Sequence, residues 1–124
     1  KPFIKNKTMA KQLAEKKTSL NLSDRIHLPS VLKTEGSYMY LTVRKDIIEK
    51  LALTQEEFKK YEIKEVQEGI QKGWLVWNQK KVPSHFDISF TELEKNEIKL
   101  ALEKLDKDEK LPEYLQDAFE KFCK

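Results

Sequence analysis

Short runs of aromatic, β-branched and alternating apolar residues predict the strands of this chain. Residues 38–43 are almost all aromatic, aliphatic or β-branched, which favours a strand. Residues 85–90 alternate strictly between apolar and polar positions, as a half-exposed antiparallel strand does. Residues 74–77 combine two tryptophans with Leu and Val, and residues 62–67 also suit an extended segment. The pattern therefore predicts one early strand and a later three-stranded meander.

Apolar residues at helical spacing predict the remaining elements. Four helices are expected, at residues 45–53, 55–61 and 92–108 and after Pro112. Two of them start with a capping box, in which a threonine hydroxyl and a glutamate three residues later satisfy each other's backbone N–H groups. These pairs are Thr54 with Glu57 and Thr91 with Glu94.

The order of these elements predicts an α+β fold. We expect a small, mostly antiparallel sheet of three to four strands with helices packed on it, and two helices at the C-terminal end. Neither an internal repeat nor a linker divides the central part of the chain.

Composition and charge refine the domain prediction. The chain has 124 residues, of which 36% are charged, above the usual quarter, and the net charge is +3. Residues 1–17 hold six lysines and one acid, a net +5, whereas the other residues hold 18 basic and 20 acidic side chains, a net −2. We therefore predict a basic, flexible arm over residues 1–19 and a single domain over residues 20–124. No membrane-spanning stretch is expected, and the single cysteine fits the reducing cytoplasm.

The residue types that catalysis requires are scarce. The sequence holds two histidines, His27 and His85, and one cysteine, Cys123, with no metal-ligand spacing among them. The three glycines stand apart, so no phosphate-binding loop is present. The sequence therefore predicts no enzyme, no catalytic residue, no metal site and no cofactor.

Two tryptophans are the strongest candidates for binding another protein. Trp74 and Trp77 are separated by an odd interval, which places them on opposite faces of the predicted strand. Both can be core residues, or one can be an exposed recognition residue, a role in which tryptophan is enriched. Arg44, after the early predicted strand, is the third candidate for protein binding.

Clustered lysines indicate an alternative function. A nucleic-acid-binding accessory protein would use the basic arm and a basic turn, through Lys11, Lys16, Lys17, Lys80 and Lys81. Against this alternative, only two arginines are present, although arginine is the preferred residue for reading phosphates and guanine edges.

Several short motifs resemble small, uncharacterised proteins of tailed bacteriophages and prophages. They are Asn-Leu-Ser-Asp-Arg-Ile at residues 21–26, Thr-Gln-Glu-Glu at 54–57, Tyr-Glu-Ile-Lys at 61–64, Trp-Asn at 77–78 and Phe-Thr-Glu-Leu-Glu at 90–94. The resemblance spans about residues 20–124 and implies a phage origin. The resemblance and the scarcity of catalytic residue types together lead to one hypothesis. The protein would be a non-enzymatic module that binds a bacterial host protein in the cytoplasm. Inhibition of a host or defence protein is one form of it. The oligomeric state stays open.

Overall fold

The computed structural model describes residues 16–124. Its strands are β1 (Lys16–Leu20), β2 (Lys64–Glu65), β3 (Leu75–Val76) and β4 (Phe86–Phe90). Its helices are α1 (Leu22–His27), α2 (Tyr38–Leu51), α3 (Gln55–Lys60), α4 (Glu92–Lys107) and α5 (Gln116–Cys123). Three short 3-10 turns lie at Leu28–Val31, Gln79–Lys81 and Glu113–Leu115. The predicted α+β class is confirmed.

The longer sheet joins the start of the described chain to a strand that precedes the two C-terminal helices. Strand β1 runs antiparallel to β4, with Lys16 opposite Phe90 and Leu20 opposite Phe86. Strand β4 confirms the alternation found at residues 85–90. Residues 16–19 were assigned to the basic arm on composition, but they belong to the sheet. Their polar side chains do not predict a strand, because the backbone hydrogen bonds that form it come from β4, about 70 residues later in the chain.

The predicted sheet of three to four strands is wrong in size. The described residues instead form two separate two-stranded antiparallel sheets, β1 with β4 and β2 with β3. A 3-10 turn at Gln79–Lys81 separates β3 from β4, and the Asn78 side chain caps it by accepting the backbone N–H of Lys80 at 3.1 Å. The two strands on either side of this turn pair with different partners.

The strand predicted at residues 38–43 is the first half of helix α2. Ser37 caps the helix, because its hydroxyl accepts the backbone N–H of Tyr40 at 3.0 Å. Val43, Ile47 and Leu51 then recur every four residues and form the buried stripe of α2. Burial of this stripe outweighs the strand propensity of the aromatic and β-branched residues, which is a weak and context-dependent preference.

The helices predicted from capping boxes are confirmed. In α3 the Thr54 hydroxyl accepts the backbone N–H of Glu57 at 3.1 Å, and the Glu57 carboxylate accepts the N–H of Thr54 at 3.0 Å. Thr91 and Glu94 form the same reciprocal pair at the start of α4. After Pro112 the chain makes the 3-10 turn and then α5, which confirms a second C-terminal helix.

Two clusters of buried side chains hold these elements together. The larger cluster lies among the β1–β4 sheet, α2, α4 and α5, and its largest member is Phe90. The smaller cluster is formed by Leu22, Tyr61 and Ile63, with Trp77 and Phe86 among the residues packed against it. The smaller cluster thus anchors the segment that carries both tryptophans.

Candidate functional site

A cleft of about 510 Å³ lies beside the β2–β3 sheet. Three parts of the chain form it: the end of α1, the segment around β3 and the 3-10 turn before α5. We call it the aromatic cleft, and its lining residues are Ile26, His27, Gly73, Trp74, Leu75, Trp77 and Tyr114. The lining contains no Lys, Arg, Asp or Glu.

Both predicted tryptophans line this one cleft. Strand β3 contains only Leu75 and Val76, and the two tryptophans flank it rather than alternate along a longer strand. Trp74 is 58% exposed. Trp77 is partly buried against the smaller cluster, and its indole N–H donates to the side-chain oxygen of Gln79 at 2.9 Å. Trp74 is therefore the accessible ring and Trp77 the anchored one.

His27 and Tyr114 form a second aromatic wall. Their ring centroids lie 4.2 Å apart, with a tilt of 36°. The Nδ1 atom of His27 lies 2.8 Å from the Ser23 carbonyl oxygen and 3.1 Å from its hydroxyl. Because a carbonyl only accepts, Nδ1 carries the proton in the shorter bond. Tyr114 is 48% exposed.

Tyr114 is the cleft residue that no sequence pattern singled out as a binding candidate. The helix α5 begins only at Gln116, and Tyr114 lies in the turn before it. The Leu111-Pro112 pair was the available signal, since a proline before a helix marks a turn whose side chains do not follow the helical stripe.

Arg25 fixes the helix that carries Ile26 and His27. Its guanidinium donates to the carbonyl oxygens of Leu51 at 3.3 Å and Ala52 at 2.6 Å, which end α2. It also donates two hydrogen bonds to the Glu57 carboxylate, at 2.7 and 3.2 Å. The guanidinium carbon lies 4.7 Å from the ring centre of Phe86. A single side chain thus joins α1 to α2, α3 and β4.

The Arg25 contact changes the acidity of Glu57. Partial burial raises the pKa of Glu57, but the hydrogen bonds from Arg25 and from the Thr54 backbone, together with the Arg25 charge, outweigh it. The pKa of Glu57 therefore lies below its usual value. The carboxylate stays ionised under neutral conditions and keeps its partner.

A second ion pair joins α1 to α5. The carboxylate of Asp24 is fully buried and accepts from Lys121 at 3.0 Å and from the backbone N–H of Asn21 at 3.2 Å. Both of those bonds go to Oδ2, and among the described residues Oδ1 has no hydrogen-bond partner. Lys121 is therefore the main compensation for a buried negative charge.

Arg44 does not line the aromatic cleft. It lies on α2 beside Tyr40, whose neighbours Val31, Glu97 and Leu100 line a different groove of about 310 Å³. Burial raises the pKa of Tyr40, Arg44 opposes this effect and Glu97 adds to it. The structure thus separates the three residues predicted for protein binding into two places.

The predicted basic residues are not gathered at this cleft either. Lys16 and Lys17 belong to β1, whereas Lys80 and Lys81 lie in the 3-10 turn before β4. Lys81 forms an ion pair with Glu62, which lowers the pKa of that carboxyl through a hydrogen bond and the lysine charge. Lys11 lies outside the described residues. The turn therefore presents a partly neutralised basic pair.

A serine, a histidine and an aspartate come together on β4 and just before it. The Ser84 hydroxyl lies 3.1 Å from Nδ1 of His85, and Nε2 of His85 lies 3.9 Å from Asp87. The second distance exceeds hydrogen-bond range. His85 and Asp87 are each about half exposed, so water screens their interaction. Among residues 16–124, no three or more His, Cys, Asp or Glu side chains are grouped to hold a metal ion.

Comparison of the chain with protein-family models, with curated proteins and with solved structures gave no significant match. Within the described part of the chain, no helix has both the length and the apolar character needed to cross a membrane.

Proposed function

We propose that the protein is a non-enzymatic binding module that takes a segment of another protein into the aromatic cleft. The observation that carries the proposal is the uncharged lining of this cleft, with Trp74 and Tyr114 about half exposed. Because 36% of the residues in this chain are charged, a surface that only contacts water would be expected to include charged side chains, and this one does not.

The cleft has the composition of an interface centre. Interface cores are depleted in charge and enriched in tryptophan and tyrosine, because large rigid rings give much contact area for little lost conformational entropy. Residues of these types dominate binding free energy when they are desolvated in a pocket. Trp74 and Tyr114 are the most exposed aromatic rings of the cleft and so have the most area to bury.

The partner we propose is a bacterial host protein in the cytoplasm, and inhibition of a host or defence protein is one form of this function. The resemblance of residues 20–124 to bacteriophage proteins supports this choice. The Lys81–Glu62 pair and the separation of the lysines argue for a protein over the nucleic-acid alternative.

The proposal is tested by affinity capture with matched variants. The purified chain is used to recover proteins from bacterial lysate, beside Trp74→Ala, Tyr114→Ala and Tyr38→Ala. Tyr38 is 88% exposed on α2 and controls for loss of an exposed tyrosine ring. We expect a stoichiometric partner that the first two variants lose and that Tyr38→Ala retains.

Two results would count against this function. Retention of every partner by Trp74→Ala and Tyr114→Ala would place binding elsewhere on the surface. Recovery of nucleic acid alone, released steeply by added salt, would favour the nucleic-acid alternative, because phosphate contacts release counterions.

A further inference from the structure

We infer that the aromatic cleft is built for a proline-containing peptide in an extended, polyproline-type conformation. This inference rests on the proposed function and names the chemistry of the segment that the cleft binds. Three properties of the lining lead to it: aromatic walls, unused hydrogen-bond donors and the absence of charge.

The aromatic walls suit proline rings. Proline-rich segments bind in grooves lined by aromatic side chains, which accept their preformed extended conformation. Trp74 and the His27–Tyr114 pair supply such faces from two separate parts of the chain. Gly73, with φ of 89°, adjoins Trp74 and brings no side chain to this wall.

The donors in the cleft match the acceptors of such a peptide. A polyproline-type backbone makes no internal hydrogen bonds and is solvated, so its carbonyl oxygens are free to accept from donors of a partner. Among the described residues, neither the Trp74 indole N–H nor the Tyr114 hydroxyl has a hydrogen-bond partner, whereas the Trp77 indole N–H is already used by Gln79. Two unused donors therefore remain beside the aromatic faces.

The absence of charge separates this occupant from nucleic acid. Stacking of unpaired bases also uses aromatic side chains, but such sites follow the phosphates with a positively charged groove. The aromatic cleft is lined by neither lysine nor arginine. An uncharged peptide segment matches the lining, and a phosphodiester chain does not.

The experiment titrates the full chain with decaproline while the indole N–H resonances are followed by NMR. A ten-residue Gly-Ser peptide is the matched control peptide. We expect a saturable shift of the Trp74 resonance with decaproline and none with the control. Trp74→Ala should weaken binding at least tenfold, Tyr114→Phe should weaken it several-fold by removing one donor, and Tyr38→Ala should leave it unchanged.

Three outcomes overturn the inference. One is no saturation with decaproline at concentrations up to about 5 mM, where even millimolar affinity would be visible. Another is equal binding by Tyr114→Phe, Trp74→Ala and the unaltered chain. The third is saturation of the same resonances by a single-stranded oligonucleotide. If capture from lysate still depends on Trp74 while decaproline does not bind, only the proline assignment fails; if capture shows no such dependence, the proposed function fails as well.

Discussion

Replacing Arg25 by methionine should be among the most destabilising changes to a polar residue in this fold. The change keeps an unbranched side chain but removes four hydrogen bonds, two to the Glu57 carboxylate and two to the carbonyls of Leu51 and Ala52. Arg25 is only 7% exposed in its side chain, and Glu57 is 22% exposed. Breaking a buried pair costs about 3–5 kcal/mol, and the partial exposure of Glu57 places the expected loss near the lower end, about 3 kcal/mol.

Urea unfolding followed by tryptophan fluorescence measures this loss. With a urea dependence of about 1.5 kcal/mol per M, the midpoint should fall by about 2 M. Arg44→Met is the matched control, because Arg44 is the other arginine and its Nε atom has no hydrogen-bond partner among the described residues. Its expected cost is below about 1 kcal/mol. Equal midpoints for the two variants would refute the assigned role of Arg25.

The same pair sets part of the acid dependence of stability. Because the pKa of Glu57 is lowered in the folded chain from its ordinary value of 4.5, the carboxylate favours folding above that value. This contribution is lost as the pH falls through the lowered pKa of the folded state. In Arg25→Met the acid-side decline in the free energy of unfolding should therefore be shallower, and an unchanged slope would contradict the assigned cause of the shift.

Three further changes test other contacts. Lys121→Met should lower the free energy of unfolding by about 3 kcal/mol, because it leaves the buried Asp24 carboxylate without its cation. A urea unfolding curve like that of the unaltered chain would contradict this expectation. Thr91→Ala should lower the free energy of unfolding by about 1 kcal/mol in the same assay, because it removes the capping box with Glu94. An unchanged urea midpoint would show that this cap does not stabilise the fold. Burial raises the pKa of the Cys123 thiol, so its alkylation by iodoacetamide at neutral pH should be slower than that of a free cysteine; a faster rate would be the opposite result.

The elements that the sequence predicted well are those whose signals are local. Helices α3 and α4 each start at a threonine capping box and continue in an apolar stripe. Strand β4 alternates over its whole length. The helix predicted at residues 45–53 corresponds to the second half of α2. The first half was predicted as a strand because residues 38–43 favour strands individually, and the stripe of Val43, Ile47 and Leu51 becomes evident only when residues 38–51 are read as one segment.

Long-range pairing accounts for the other errors. Strand β1 is polar and lysine-rich, and only its partner β4 makes it a strand. The candidate site also depends on long-range contacts. Its two tryptophans could be selected from the sequence by residue type alone. Tyr114 lies near them only because the turn before α5 contacts the end of α1. Sequence spacing predicts which side chains share an element, and it does not predict which elements meet.

The polar contacts beneath the aromatic cleft explain how so short a helix can form one of its walls. Helix α1 has six residues, too few to be stable alone in water. Asn21 caps it, Arg25 ties it to α2 and α3, and Asp24 ties it to α5. Because these bonds hold α1 before any ligand arrives, the cleft has less conformational entropy to lose on binding. Such preorganisation leaves more of the contact free energy of the rings available for affinity, because less is lost in ordering the site.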